Sequence, residues 1–243
     1  MVYDFHAHIL PAVDHGCRDT ETAALQMKFL AERGVSSVVA TPHFYNTEEG
    51  VQNFLARRRE GASLLSGLLT EKTPNVYLGA EVFLTAGIDL MEDLDKLCIY
   101  GTNTLLVEMP FTEWNKATKK TVERLCRKGF SIVLAHINRY PKSQIEALFE
   151  RGAVGQLNVE ALLPVLGASP HIRRWIQEGK VVALGSDIHG SGSLCLARRM
   201  KRADGLALAL KEKIENRTQE LLKGAVPLGD ISHNNEIHIE KGL

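Results

Sequence analysis

The chain has 243 residues, of which 44% are hydrophobic and 24% charged, a composition typical of a soluble globular protein with one sizeable core. Its 29 basic residues balance 29 acidic ones. Because nucleic acids and anionic membranes are bound largely through a basic excess, the composition disfavours both as partners. No apolar run is long enough to span a bilayer and no signal-like segment opens the sequence, so we expect a cytoplasmic protein without direct membrane insertion.

Seven short β-branched runs are separated by stretches with helical periodicity. The predicted strands are residues 2–9, 36–43, 75–84, 104–110, 131–137, 154–160 and 181–189. The predicted helices are residues 21–34, 49–69, 114–129, 143–152 and 170–179, several of which close with glycine. This alternation calls for parallel strands joined by crossover helices, in a barrel or in an open doubly wound sheet. We expect one domain over residues 1–243, with a loosely attached tail from about residue 226.

Chemically active side chains recur where predicted strands end. Five histidines lie within or at the carboxyl ends of strands: His6, His8, His43, His136 and His189. Three carboxylates each follow an apolar run: Glu81, Glu108 and Asp187. Reacting groups of parallel α/β folds gather at these strand ends, and a charged carboxylate there is costly unless it is paired or binds a metal.

The pattern predicts a site for more than one metal ion. His6 and His8, like Asp187 and His189, are two residues apart, so each pair points to one side of its strand. Imidazole and carboxylate donors suit Zn, Mn or Fe, and their number exceeds the need of one ion. Any one of these residues alone is more typical of a buried histidine or an ion pair, but their joint occurrence favours a metal site. His171, His233 and His238, in helix-like or tail segments, are interpreted as structural.

Several motifs in chain order resemble the PHP (polymerase and histidinol phosphatase) superfamily. They are Asp4-Phe5-His6-Ala7-His8, Val13-Asp14-His15-Gly16, Ala40-Thr41-Pro42-His43, Gly79-Ala80-Glu81, Val107-Glu108, Ala135-His136-Ile137-Asn138-Arg139-Tyr140 and Gly185-Ser186-Asp187-Ile188-His189. The resemblance covers essentially the whole chain. It implies a single PHP-type domain with a distorted (β/α)7 barrel, and a trinuclear metal cluster at the carboxyl ends of the strands.

Within that superfamily the chain looks most like the bacterial capsular or exopolysaccharide protein-tyrosine phosphatases. This resemblance implies hydrolysis of phosphotyrosine on proteins, with a bacterial tyrosine kinase of polysaccharide biosynthesis as the expected partner. It also implies three divalent ions, with Mn favoured over Fe and Zn. By the family pattern one ion takes His6, His8, Glu81 and Asp187, a second takes Glu81, Glu108 and His136, and a third takes Asp14, His43 and His189.

The resemblance also gives roles to residues near these ligands. Arg139 matches a family arginine that contacts phosphate, and a planar guanidinium suits two phosphate oxygens at once. His15 is an alternative ligand beside Asp14, or a phosphate contact. Relatives often have a second phosphate-binding arginine after the Asp-x-His motif, and Arg198 and Arg199 are the candidates here.

The sequence also bears on four alternative functions. A histidinol phosphatase or another small-molecule phosphoesterase would share the chemistry and differ in substrate. A metal-binding regulatory protein without catalysis is disfavoured by the intact donor set. A nuclease is disfavoured by the neutral charge and by the lack of basic clusters with interleaved aromatics. A cysteine-based phosphatase is excluded, because none of the four cysteines is followed by arginine six positions later.

Overall fold

Nine β-strands and six α-helices are found in a computed structural model of the chain, which describes residues 1–162, 168–190, 198 and 200–231. The strands are β1 (Tyr3–Ala7), β2 (Ser37–Ala40), β3 (His43–Phe44), β4 (Asn75–Leu78), β5 (Glu81–Phe83), β6 (Thr104–Glu108), β7 (Ser131–Leu134), β8 (Val154–Asn158) and β9 (Val181–Gly185). The α-helices are α1 (Thr20–Glu32), α2 (Val51–Ser66), α3 (Lys116–Arg127), α4 (Lys142–Phe149), α5 (Pro170–Gln177) and α6 (Leu208–Leu221).

The strands lie in two parallel sheets. β1, β2 and β4 form a three-stranded sheet in the order β1-β2-β4, and the other six strands form a sheet in the order β3-β5-β6-β7-β8-β9. The strand pairs in both sheets are parallel. The predicted α/β architecture with parallel strands is therefore confirmed.

Two of the predicted strands are each divided in two. β2 and β3 separate at Pro42, because proline has no amide hydrogen for a ladder bond, and β4 and β5 separate at Gly79. The Glu81 amide nevertheless donates to the Pro42 carbonyl at 3.0 Å. The same two chain segments therefore pass from one sheet into the other, and the pairing of His43 with Glu81 begins the second sheet.

The first strand meets the end of the last strand without a full ladder. Ala7 and Ile188 form an isolated parallel bridge. The Asp187 amide donates to the His6 carbonyl at 2.8 Å, and the His8 amide donates to the Ile188 carbonyl at 3.2 Å. The two sheets touch at this point, but among the described residues no continuous strand ladder joins them into one ring.

Helix boundaries follow local side-chain chemistry. The Asp19 carboxylate caps α1 by accepting the Thr22 amide at 2.8 Å, and the Asn115 side chain caps α3 by accepting the Thr118 amide at 2.9 Å. Each such cap contributes about 1 kcal/mol. After α1 the chain turns at Gly34 with φ of 75°, a left-handed conformation that favours glycine.

Apolar side chains attach the helices to the sheets. The larger buried cluster includes Ile145, Ile172 and Ile214 of α4, α5 and α6. A smaller cluster includes Leu106 of β6. Since alternate strand residues share a face, Leu106 lies on the same side of β6 as Glu108, so buried apolar packing supports the end of the strand that carries this carboxylate.

Two further features concern the carboxyl-terminal third. α6 was not among the predicted helices, because most of its side chains are polar and only Ile214 and Thr218 are buried. The expected tail starts with attached residues: the Val226 amide donates to the Tyr100 carbonyl at 3.3 Å and Leu228 is buried. Residues 232–243 of that tail lie outside the described part of the chain. Among the described helices, none is both long and apolar enough to cross a bilayer.

Candidate metal centre

Four donor atoms converge at the end of β1. His6 and His8 are fully buried, and their Nε2 atoms lie 3.1 Å apart. The Glu81 Oε2 atom lies 3.1 Å from the His6 Nε2 atom and 3.3 Å from the His8 Nε2 atom. The Asp187 Oδ1 atom lies 3.7 Å and 3.5 Å from the same two nitrogens. The structure thus brings together the four residues that the family pattern gives to one ion.

The hydrogen bonds behind these rings fix which nitrogens carry protons. The Gln156 Oε1 atom accepts the His136 amide at 2.7 Å, so it is an oxygen, and the His6 Nδ1 atom, 3.1 Å away, must donate to it. The His8 Nδ1 atom likewise donates to the Asp14 carboxylate at 2.7 Å. In the neutral rings both Nε2 atoms are therefore unprotonated. Lone pairs of nitrogen and oxygen then face each other, an arrangement that needs a cation among them.

A second group forms around the other side of Glu81. The Glu81 Oε1 atom lies 3.0 Å from the His136 Nε2 atom, and the Glu108 Oε1 atom lies 3.6 Å from the same nitrogen. The His43 Nδ1 atom lies 3.0 Å from the Glu81 Oε2 atom and 4.0 Å from the Glu108 Oε2 atom. The Glu81 Oε1 atom therefore faces His136, while its Oε2 atom faces His6, His8 and His43. A carboxylate whose two oxygens face different donors is suited to bridge two ions.

Three histidines form a third group nearer the surface. His8, His43 and His189 place one ring nitrogen each within 4.8 Å of one another. The His8 ring centroid lies 4.4 Å from that of His43 and 4.1 Å from that of His189. The exposed His15 ring lies 5.0 Å from the His43 ring and 4.8 Å from the His189 ring. His15 therefore adjoins the solvent side of this group.

Asp14 lies beside these groups rather than inside one. Its Oδ2 atom accepts the His8 ring proton and, at 3.0 Å, the His43 amide, while its Oδ1 atom accepts the Gly16 amide at 2.9 Å. None of the groups of three converging donors found among the described residues includes Asp14. Its contacts are those of a carboxylate that orients a histidine ligand.

Arg139 reaches the centre through Asp187. The Asp187 Oδ2 atom accepts the Arg139 Nη2 hydrogen at 2.5 Å and the Asn158 side-chain amide at 3.0 Å, which leaves Oδ1 facing the buried histidines. The Arg139 side chain is 37% exposed, so its guanidinium lies at the solvent edge of the centre. Of the two arginines considered for a second phosphate contact, Arg198 is exposed and Arg199 lies outside the described residues.

Two donor residues have a left-handed backbone. His136 has φ of 31° and Asp187 has φ of 52°. A residue other than glycine held in such a conformation costs roughly 1–3 kcal/mol, and such strain clusters at functional sites. Each residue lies two positions after the end of a strand, His136 after β7 and Asp187 after β9, and the turns redirect them toward the converging donors.

The centre is strongly electronegative. Burial alone would lower the pKa of His8, but the carboxylates of Asp14 and Glu81 outweigh it and raise that pKa to about 10. Burial would also lower the pKa of His136, but the carboxylates of Glu108 and Glu81 outweigh it and raise that pKa to about 9. His189 differs, because burial and its position beside His8 lower its pKa to about 4. The field that holds protons on His8 and His136 would also hold divalent cations.

Buried atoms without partners provide a test of whether a metal fits. Within the described residues, the Glu81 Oε2 and His43 Nδ1 atoms are buried and make no hydrogen bond, although they lie only 3.0 Å apart. Unsatisfied buried polar atoms cost roughly 1–3 kcal/mol each. A divalent cation would satisfy both, and mixed imidazole and carboxylate donors suit Mn, Fe or Zn. The residues present therefore fit a metal centre.

Two amides that support the centre were not predicted. Gln156 and Asn158 are buried on β8, and the Gln156 Nε2 atom donates to the Asn158 Oδ1 atom at 2.9 Å. Through this chain of contacts they hold the His6 ring and the Asp187 carboxylate. The sequence signal for them is two polar residues at alternate positions of a predicted buried strand.

The family model for capsular polysaccharide synthesis, CpsB/CapC, matches residues 2–222. Tyrosine-protein phosphatase YwqE of Bacillus subtilis (strain 168) is 31% identical over 175 residues, which cover 68% of this chain and 67% of that protein. A crystal structure from the pair YwqE of Bacillus subtilis and CpsB of Streptococcus pneumoniae, metal-dependent tyrosine phosphatases, is 23% identical with a TM-score of 0.72. That likeness covers 92% of this chain and 95% of the other, and shows that the fold is shared.

Proposed function

This chain belongs to the CpsB/CapC family of capsular polysaccharide synthesis, and we propose on that premise that it is a metal-dependent phosphatase that hydrolyses phosphotyrosine on proteins. Two facts support the proposal: a relative that is 31% identical is a tyrosine-protein phosphatase, and the candidate metal centre has the donors such an enzyme needs. The observation that carries it is the convergence of four side chains. The Glu81 and Asp187 carboxylate oxygens lie 3.1–3.7 Å from the Nε2 atoms of His6 and His8.

We propose that the centre holds three divalent metal ions, with Mn favoured and Fe or Zn as alternatives. One would be held by His6, His8, Glu81 and Asp187, and a second by Glu81, Glu108 and His136. The third would be held by His43 and His189, with Asp14 either as a direct ligand or, as its contacts favour, as the carboxylate that orients His8. Divalent ions held by these residues would lower the pKa of a bound water and neutralise charge on the phosphoryl oxygens.

The protein's own groups prepare this chemistry. Gln156 and Asp14 hold the imidazoles of His6 and His8 by their Nδ1 atoms, with the Nε2 atoms toward the centre. The partly exposed guanidinium of Arg139 is proposed to bind phosphoryl oxygens, since it keeps further N–H groups beyond the one given to Asp187. His15 offers a further phosphate contact at the exposed edge of the histidine group. The reaction requires no covalent intermediate on the protein.

We also propose the closed form of the fold, the protein substrate and the cellular location. The two sheets would be parts of one distorted (β/α)7 barrel in a single PHP-type domain, supported by the hydrogen bonds between β1 and residues 187–188 and by the family match over residues 2–222. The substrate would be a bacterial tyrosine kinase of polysaccharide biosynthesis. Because such a kinase uses ATP, we place the phosphatase in the cytoplasm with it.

A comparison of substrates tests this function. The Mn-loaded protein is offered a phosphotyrosine peptide and histidinol phosphate at matched concentrations, and phosphate release is measured. Faster turnover of the peptide supports the proposal. A preference for histidinol phosphate would assign the protein to small-molecule metabolism instead.

A further inference from the structure

Phe111 presents a large apolar ring at the edge of the metal centre. Its side chain is 67% exposed. Its ring centroid lies 6.4 Å from that of His136, with 9° between the planes, and 5.5 Å from that of Tyr140. Single exposed apolar residues are common and need no explanation. Phe111 differs from a residue such as Leu208, which is 70% exposed on α6, because one of its ring neighbours is a candidate metal ligand.

The backbone before Phe111 is fixed by two buried aromatic residues. The Tyr140 hydroxyl accepts the Met109 amide at 3.1 Å and donates to the Met109 carbonyl at 2.8 Å. The Trp114 indole donates to the Pro110 carbonyl at 2.8 Å. The exposed ring is therefore attached to an anchored segment, so its place beside the centre is a built feature of the fold.

The depth of the donors limits which phosphate esters can reach them. His6, His8 and Glu81 are at most 1% exposed, and Glu108 is 7% exposed. A phosphoryl group must therefore descend below the surface while its peptide stays outside. In phosphoserine a single methylene separates the ester oxygen from the backbone. In phosphotyrosine a whole phenyl ring does so, and that ring would lie at the rim of the centre, at the level of Phe111.

We propose that Phe111 stacks against the phenyl ring of a bound phosphotyrosine and thereby sets a preference for aryl over alkyl phosphate esters. The inference rests on the proposed phosphatase function and names one residue that gives it specificity. Aromatic rings pair favourably in offset or edge-to-face arrangements. An exposed ring on an anchored segment is suited to this role, because little backbone entropy is lost when a second ring packs on it.

The test compares four forms of the Mn-loaded protein: the unmodified chain, Phe111→Ala, Phe111→Trp and Leu208→Ala. KM and kcat are measured with a phosphotyrosine peptide, and inorganic phosphate is used as a competitive inhibitor that reaches the centre without a ring. Phe111→Ala should raise KM for the peptide roughly tenfold, the size of one lost aromatic pair with its buried area, and leave inhibition by phosphate unchanged. Phe111→Trp should restore KM, and Leu208→Ala should not alter it.

Two results would overturn this inference alone. One is a Phe111→Ala protein with unchanged KM for the peptide. The other is a rise in KM matched by an equal loss of phosphate inhibition, which would mean that the substitution disturbs the metal centre. An unmodified protein that releases no phosphate from the peptide would instead contradict the proposed function, and this inference with it.

Discussion

The Asp14 carboxylate and the His8 imidazole form a 2.7 Å hydrogen bond through the Nδ1 atom, which turns the Nε2 atom of His8 toward Glu81 and Asp187. A carboxylate behind a histidine fixes its tautomer and makes its free nitrogen a stronger donor to metals. Burial opposes the ionisation of Asp14, but the His8 bond outweighs it and holds the pKa of Asp14 far below its usual range. This pair therefore links a loop carboxylate to the centre of the proposed metal cluster.

The first prediction concerns that link. Asp14→Asn removes the charge and leaves one oxygen for the three hydrogen bonds that two oxygens now accept. We expect Mn²⁺ affinity to fall about 10–100-fold with the number of bound ions unchanged. Metal titration with elemental analysis measures both quantities. Asp19→Asn, a helix cap that asparagine also serves, is the matched control and should bind normally; loss of one ion in Asp14→Asn would identify Asp14 as a direct ligand instead.

The second prediction concerns Gln156. Gln156→Leu removes the acceptor for both the His6 ring proton and the His136 amide, both of which are buried. Buried donors without acceptors cost roughly 1–3 kcal/mol each, so we expect a lower free energy of unfolding as well as weaker metal binding. Chemical denaturation and metal titration are the measurements. Normal metal affinity in a folded variant would show that the orientation of His6 does not depend on Gln156.

The third prediction concerns pH. Despite burial, nearby carboxylates raise the pKa of His8 to about 10 and that of His136 to about 9, so both are protonated near neutral pH in the metal-free protein. A bound ion must displace these protons, so Mn²⁺ affinity should rise with pH between about 6 and 9, with proton release on binding. Calorimetry in buffers of different protonation enthalpy measures that release. An affinity that stays constant over this range would refute the prediction.

The same two histidines give the sign of a stability effect in the metal-free protein. Because their folded pKa values are raised above the unfolded value of about 6.5, they stabilise the fold fully below that pH. This contribution is lost as the pH rises through about 9 and 10. Thermal unfolding of chelator-treated protein should therefore show a falling Tm on the alkaline side. A Tm that rises there would contradict the assignment.

The fourth prediction concerns Arg139. Arg139→Ala should lower kcat/KM for a phosphotyrosine peptide about 10–100-fold, because one charge-assisted hydrogen bond to phosphate is worth roughly 1.5–3 kcal/mol. Arg139→Lys should recover only part of the loss, since an ammonium cannot bind two oxygens with the fixed geometry of a guanidinium. Arg174→Ala, which breaks a surface ion pair with Glu146, is the control. Unchanged kinetics in Arg139→Ala would show that Arg139 does not bind the phosphate of the substrate.

Much of the centre was predictable because of strand geometry. The histidines and carboxylates follow apolar runs, and parallel strands bring their carboxyl ends to one edge. Five of the predicted strands appear as single strands, and the division of a sixth follows from Pro42, which was visible in the sequence. Periodicity alone could not choose between a barrel and an open sheet, because both use the same alternation.

The remaining features depend on contacts between residues that are distant in the sequence. The sequence does not show that Gln156 and Asn158 contact His6 and Asp187, because these contacts form only in the folded chain. The position of Asp14 behind His8 depends on the conformation of the loop after β1. α6 was missed because its apolar face is narrow and its burial arises from packing on β9 rather than from its own sequence.

The central claim is that buried donors hold divalent ions for the hydrolysis of phosphotyrosine. The most direct measurement removes metal with a chelator, returns Mn²⁺ stepwise, and records bound metal and phosphate release from a phosphotyrosine peptide in the same samples, with His136→Ala in parallel. We predict that activity rises with occupancy toward three ions per chain, one for each group of donors, and that His136→Ala binds less metal and releases little phosphate. Full activity without metal, or full occupancy without phosphate release, would contradict the claim.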